Sequence, residues 1–138
     1  MSPDEVVREW FEQVWTQRRD DAIDRLMGPN AMIHDLPTVD GAPMQGPAAF
    51  RPFHQKFLAA FPDLRIEVLR TIVDGEHVAG QLRVTAKHGG DGLGMAATGK
   101  TATISGMVFA RVQDGQIVEG WNCFDFLSLY QQLGLKLS

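Results

Sequence analysis

The residues best equipped for chemistry crowd into one stretch near the end of the chain, QIVEGWNCFDFLSLYQQLG, from Gln116 to Gly134. Glu119, Trp121, Asn122, Cys123 and Asp125 all fall within it. It begins with strand character and ends as a short helix. On a strand, alternate side chains share a face, so Ile117, Glu119, Trp121, Cys123 and Asp125 are expected on one side. Val118, Gly120, Asn122, Phe124 and Phe126 then fall on the other. Both sides carry large apolar groups, which implies a strand covered on both faces. A carboxylate in such company must be paired, protonated or beside a wet pocket. Asp125 therefore has two readings: a proton-transfer carboxylate at the pocket end of the strand, or the N-cap of a helix over Leu127–Leu133. Trp121, on the Asp125 face, offers a flat wall for a planar ligand or a ring for the core.

The histidines form the second group. His88, followed by Gly89 and Gly90, could line a cavity as donor or base, because imidazole titrates near neutrality; its other reading is an edge residue facing solvent. His34 is expected to face the cavity, while Asp35, its neighbour on a short strand, points away into a loop. His54, between Phe53 and Phe57, reads as a helix-surface or helix–sheet residue, and His77 as an exposed turn neighbour. Phe53 and Met107 join Trp121 and His34 as expected contacts for an apolar ligand, although scattered methionines also serve as core filler. Cys123 reads as a small buried hydrophobe, and Tyr130 as packing beside Leu129 and Leu133. No Ser-His-Asp ordering or phosphate loop can be assembled. Gly92-Leu93-Gly94 is only a fragment of a dinucleotide motif and precedes a strand.

These residues need elements to position them. Ser2-Pro3-Asp4-Glu5 is a helix start, with proline at the first helical position and acids in the first turn. Val6, Val7, Trp10, Phe11, Val14 and Trp15 then draw one broad apolar stripe. Asp20-Asp21 opens a short helix bearing Ala22, Ile23, Leu26 and Met27, which Gly28-Pro29 stops. Ala31–His34 reads as a strand and 35–46 as a loop. Pro47 opens a third helix to about Ala60, with Phe50, Phe53 and Phe57 on its buried side. Past Pro62 the period changes to two. Four strand patterns follow, broken at Asp74-Gly75, His88–Gly92 and Gln113-Asp114-Gly115. Helices followed by hairpin-linked strands imply an α+β domain with a mostly antiparallel sheet. Gly80, Gly106 and Gly120 inside strands hint at strong curvature, and hence a cone enclosing a pocket.

The chain of 138 residues suits one domain, residues 1–138. With 44% hydrophobic and 22% charged residues, it has the composition of a globular protein. A single cysteine forbids an internal disulfide, and no Cys/His spacing resembles a metal site. The net charge of -4 gives no reason to expect nucleic acid as a partner. No apolar run spans a bilayer, and the charged N-terminus MSPDEVVREW lacks a leader's apolar region. A cytoplasmic protein without a membrane partner is expected.

The string HGGDGLGMAATGK, from His88 to Lys100, followed by QDGQIVEGWNCFDFLSLYQQLG, resembles the SnoaL-like polyketide cyclases, or ester cyclases. These belong to the NTF2-like superfamily of α+β cones. The aromatic N-terminal helix, the Asp-Asp pair, GPAAF and FPDLRI extend the likeness over nearly the whole chain. The resemblance implies ring closure by intramolecular aldol condensation without metal or cofactor, in a pocket for a small cyclic or polyketide-like carbonyl compound. It also implies an acid/base aspartate three residues before a second aspartate. That second position is Asp125 here, and the first is occupied by Asn122, an amide able to donate a hydrogen bond to an oxyanion. Asp125 and His88 would then handle protons, with Asn122 or His34 orienting or stabilising the oxyanion. A non-catalytic small-molecule-binding module remains the alternative, as do the isomerases, hydrolases and dehydratases of the superfamily. Family sheets commonly pack against one another, so a homodimer is expected.

Overall fold

A computed structural model describes residues 1–37, 41–92 and 94–135. Pro3–Glu9 is helix α1, which continues as a π-helical segment, Trp10–Thr16. There the Gln17 N–H reaches the Glu12 carbonyl, five residues back, at 2.8 Å. Val6, Trp10 and Val14, like Val7, Phe11 and Trp15, recur at intervals of four, which at about 3.6 residues per turn drift about 40° per step and slant the stripe around an α-helix. A wider turn drifts the opposite way. All six side chains are buried.

Helix α2 (Asp21–Leu26) leads directly into β1 (Met27–His34), then β2 (Met44–Gln45) and α3 (Gly46–Ala60). The strand thus starts earlier than the expected Ala31 and takes in Gly28 and Pro29, where a helix stop was expected. Proline has no N–H to offer a ladder, and the pairing of β1 slips between Met27 and Met32. The expected loop 35–46 carries β2 at its far end; positions 38–40 lie outside the described residues, as does Leu93 of the glycine-rich connection.

The remaining strands, β3 (Arg65–Asp74), β4 (His77–Lys87), β5 (Thr101–Gln113) and β6 (Gln116–Phe124), form an antiparallel meander, followed by α4 (Phe126–Gln132). The curved six-stranded sheet has the order β2-β1-β6-β5-β4-β3, with β1 parallel to β6. Helices α1 and α3 cover its inner face. Val78, Leu82, Val84, Ile104, Val108 and Ala110 meet them there and are buried. Gly106 sits where β5 crosses Phe124 of β6. A Cβ at Gly106 would lie 2.4 Å from the Phe124 ring, so only glycine admits the ring at that corner.

A bulge in β6 overturns the expected alternation. Ile117 pairs with Val112 and Glu119 with Arg111, leaving Val118 without a partner. Ile117 therefore shares the inner face with Gly120, Asn122 and Phe124, while Glu119, Trp121 and Cys123 point outward. The inner face of β6 is the Asn122 side rather than the Asp125 side. Cys123, expected to be buried, is exposed.

Candidate functional site

Inside the cone lies a cavity of about 80 Å³. Trp10, Phe11 and Trp15 of the first helical segment, Phe50, Phe53 and Phe57 of α3, and Phe124 and Phe126 supply rings to its wall. Ile33, Ile104, Val108 and Ile117 add aliphatic groups from the sheet. Phe50 is held by Trp10 at 5.2 Å and Trp15 at 5.8 Å, and Phe53 stacks obliquely on Phe57 at 5.5 Å. Of the described lining residues, Asn122 alone carries an amide, hydroxyl or charged side chain.

Asn122 is firmly oriented. Its Nδ2 donates to the main-chain carbonyl of His34 at 2.9 Å, across the parallel β1–β6 pair. That carbonyl ends β1: Asp35, next in the chain, adopts φ 65 and turns away. One N–H of the amide is thereby committed, and the group keeps a second N–H and a carbonyl oxygen. In an apolar wall, such a group is a fixed dipole for one polar atom of a ligand.

The other candidate residues occupy different places. Phe53 is in the cavity wall as expected. Asp125 is exposed and caps α4, its Oδ1 accepting the Ser128 N–H at 3.0 Å. His88 is fully buried away from the lining, packed on Phe61 with ring centroids 5.6 Å apart. Its Nδ1 accepts the Thr98 N–H at 3.2 Å and lies 3.1 Å from the Thr98 hydroxyl. Because Nδ1 accepts, Nε2 carries the ring proton; it is buried with no hydrogen-bond partner among the described residues. The main chain repeats the clasp: His88 N–H bonds the Lys100 carbonyl and Gly99 N–H the His88 carbonyl. The spacing from His88 to Thr98-Gly99-Lys100 thus closes the long β4–β5 connection.

His34 and Trp121 stack on the outer face, 5.4 Å apart and 13° from parallel. His34 Nε2 lies 2.8 Å from Glu119, which Arg111 also approaches at 3.8 Å. Trp121 borders the cavity, but its ring meets His34 and Phe109. Met107, on the same outer face, is 58% exposed. The structure therefore brings Asn122 and Phe53 together inside and places His34, Met107 and the Trp121 ring outside.

His54 is the residue that sequence reasoning placed least well. It is buried, 2% exposed, and its Nε2 donates to the Val14 carbonyl at 2.8 Å. Its ring lies between Trp15 at 4.8 Å and Phe50 at 5.7 Å. Burial lowers its pKa, partly offset by the bond to Val14. Only the helical spacing of Phe50, His54 and Phe57 pointed inward beforehand.

A family model described as SnoaL-like polyketide cyclase matches residues 5–133. The chain belongs to the SnoaL-like polyketide cyclase family. Relatives include the aklanonic acid methyl ester cyclase DauD of Streptomyces sp. (strain C5), 28% identical over 97% of this chain and 83% of that protein. The aklanonic acid methyl ester cyclase DnrD of Streptomyces peucetius is 27% identical over 94% of this chain and 89% of its own length. IdmH, a putative polyketide cyclase from Streptomyces antibioticus, shares the fold with a TM-score of 0.84 at 24% identity, covering 98% of this chain and all of that one. A hypothetical protein with a ketosteroid isomerase-like fold from Catenulispora acidiphila DSM 44928 superposes with a TM-score of 0.79 at 17% identity, over 96% of this chain and 94% of that one. Within the SnoaL-like family, the apolar cone with an oriented amide is the feature of this chain that bears on chemistry.

Proposed function

We propose that this protein closes a carbon–carbon ring in a small, enolisable, polyketide-like carbonyl compound, with Asn122 holding the oxygen on which negative charge develops. The observation that carries this reading is the oriented amide that stands alone in an apolar wall among the described residues. An amide cannot remove a proton near neutral pH, which restricts the chemistry to carbon acids that are already activated. A carbon flanked by two carbonyls exchanges its proton with water unaided. The protein then supplies orientation and oxyanion stabilisation. In the step, the activated carbon loses its proton, bonds to the acceptor carbonyl carbon, and the acceptor oxygen gains a proton. The composition of the molecule does not change. The names of DauD and DnrD support an ester of this type as substrate.

The test is turnover of aklanonic acid methyl ester by wild type, Asn122→Leu and Asn122→Asp, followed by chromatography of the cyclised product. Asn122→Leu should lower kcat about a hundredfold and, because the His34 carbonyl loses its partner, also lower stability by about 1 kcal/mol, whereas a purely structural role would leave kcat near wild type. Asp125→Ala should cost about 1 kcal/mol of stability and leave turnover in place, as befits a cap. A second reading, a non-catalytic binding module, is favoured by the lack of any acid or base among the described lining residues. Binding without turnover in wild type, with turnover appearing in Asn122→Asp, would establish it.

The outer face supports a homodimer. Met107, Phe109 and Cys123 are exposed there beside Trp121. An exposed unpaired thiol also supports the cytoplasm as the compartment.

A further inference from the structure

The inner cavity, at about 80 Å³, is much smaller than the several hundred Å³ of pockets that enclose a drug-sized ligand. A second, open pocket of about 510 Å³ adjoins it. Phe53 and Phe57 line both spaces. Other elements step outward in the same direction. Leu36 lines the inner space and Pro37 the outer, and on α4 Phe126 lines the inner and Tyr130 the outer. Phe126 and Tyr130 are one helical turn apart, so their side chains follow each other along one face at about 5–6 Å.

The two spaces differ in chemistry. The outer one presents Lys56, Asp91 and Tyr130. Neither Lys56 nor Asp91 forms an ion pair among the described residues. One cation, one anion and a phenol sum to no net charge while offering donors and acceptors, which suits a neutral hydroxylated group better than a carboxylate. The wall is also fixed in place. The segment bearing Asp91 lies flat on α3, where a Cβ at Gly90 would fall 1.8 Å from the Ala59 carbonyl oxygen and one at Gly92 2.1 Å from that of Lys56.

Resting on the reading of the inner cavity given above, we propose that the outer pocket is the second half of the ligand site. Phe53 and Phe57 divide the two halves and set how far an apolar ring can enter. Lys56, Asp91 and Tyr130 take the hydroxylated end of a ligand whose carbonyl end reaches Asn122. The ligand is thus elongated and two-ended, with its ketone on a compact apolar ring and its hydroxyls at the opposite end.

Isothermal titration calorimetry with two probes tests this: methyl naphthyl ketone, and its analogue bearing a phenolic hydroxyl at the end far from the ketone. Wild type should bind the hydroxylated probe about tenfold more tightly. Lys56→Met combined with Tyr130→Phe should erase that preference while leaving the Kd of the plain ketone unchanged, and both substituted groups lie at or near the surface. Phe57→Ala should tighten or weaken both probes together and retain the preference for the hydroxyl. A preference that survives Lys56→Met/Tyr130→Phe overturns the outer site and leaves the inner one standing. Failure of wild type to bind even the plain ketone overturns both.

Discussion

His54 holds the Val14 carbonyl that the π-helical segment leaves available, and it does so from within a nest of aromatic rings. Burial disfavours its charged form, so its folded pKa lies below the ordinary value of about 6.5. Between that value and the lowered one, the unfolded chain binds a proton that the folded chain refuses. The stability from neutral His54 is therefore fully present above about pH 6.5 and is lost progressively as pH falls below it. His54→Gln can keep the bond to Val14 but does not titrate. Thermal melts from about pH 7 down to about pH 5 should show the wild-type melting temperature falling more steeply than that of His54→Gln. Parallel curves would show that another group sets the acid sensitivity. Asn122 is the complementary case: in the function proposed above it acts as a dipole, and an amide does not titrate across the same range.

At the scale of elements, the crossing of β5 and β6 fixes the shape of the cavity. Phe124 occupies the space where a side chain at Gly106 would be, and its ring turns toward Phe126, 6.0 Å away, at the cavity wall. Gly106→Ala should cost about 1–3 kcal/mol, measured as a lowered urea midpoint, because the ring must leave its place. Gly106→Ala/Phe124→Leu should recover part of that loss. The same strand shows why only part of the site was legible in the sequence. The aromatic stripe of the first helix announced itself through its spacing of four, and Phe53 through its place on an apolar helix face. The bulge left no such mark, since Val118 is as suitable in a regular strand as beside one. That one extra residue exchanges the faces of Ile117 and everything after it, which carries Trp121 outward and Asn122 inward. Tyr130 read as packing because its alignment with Phe126 acquires meaning only once α4 is seen against α3.

For the molecule as a whole, the inner face of the sheet is committed to the cone, while the outer face carries exposed apolar side chains. Rings run across that outer face from His34 through Trp121 and Phe109 to His77. Met107, Phe109 and Cys123 are exposed along it. If two copies meet there, Met107→Glu places a charge at the contact and should convert a dimer to monomer in sedimentation velocity, with the circular dichroism spectrum preserved. A variant that sediments with wild type would move the contact elsewhere. The α+β class and the meander were legible from the change of period after Pro62. The parallel docking of β1 was not, because a short strand among helices carries no sign of which edge it will join.

That docking has a consequence for how the chain comes to its structure. Strands β3 to β6 are joined by short connections or a clasped loop and can pair locally as they emerge. Strand β1, made early, must wait for β6, about ninety residues later, since its ladder partners run from Ile117 to Trp121. Until then the Asn122 amide has no His34 carbonyl to hold, and the aromatic stripe of the first helix has only part of its sheet to cover. On a ribosome the cone would close only once β6 has emerged. A chain arrested before Gln116 would expose Trp10, Phe11 and Trp15 to whatever chaperone stands nearest.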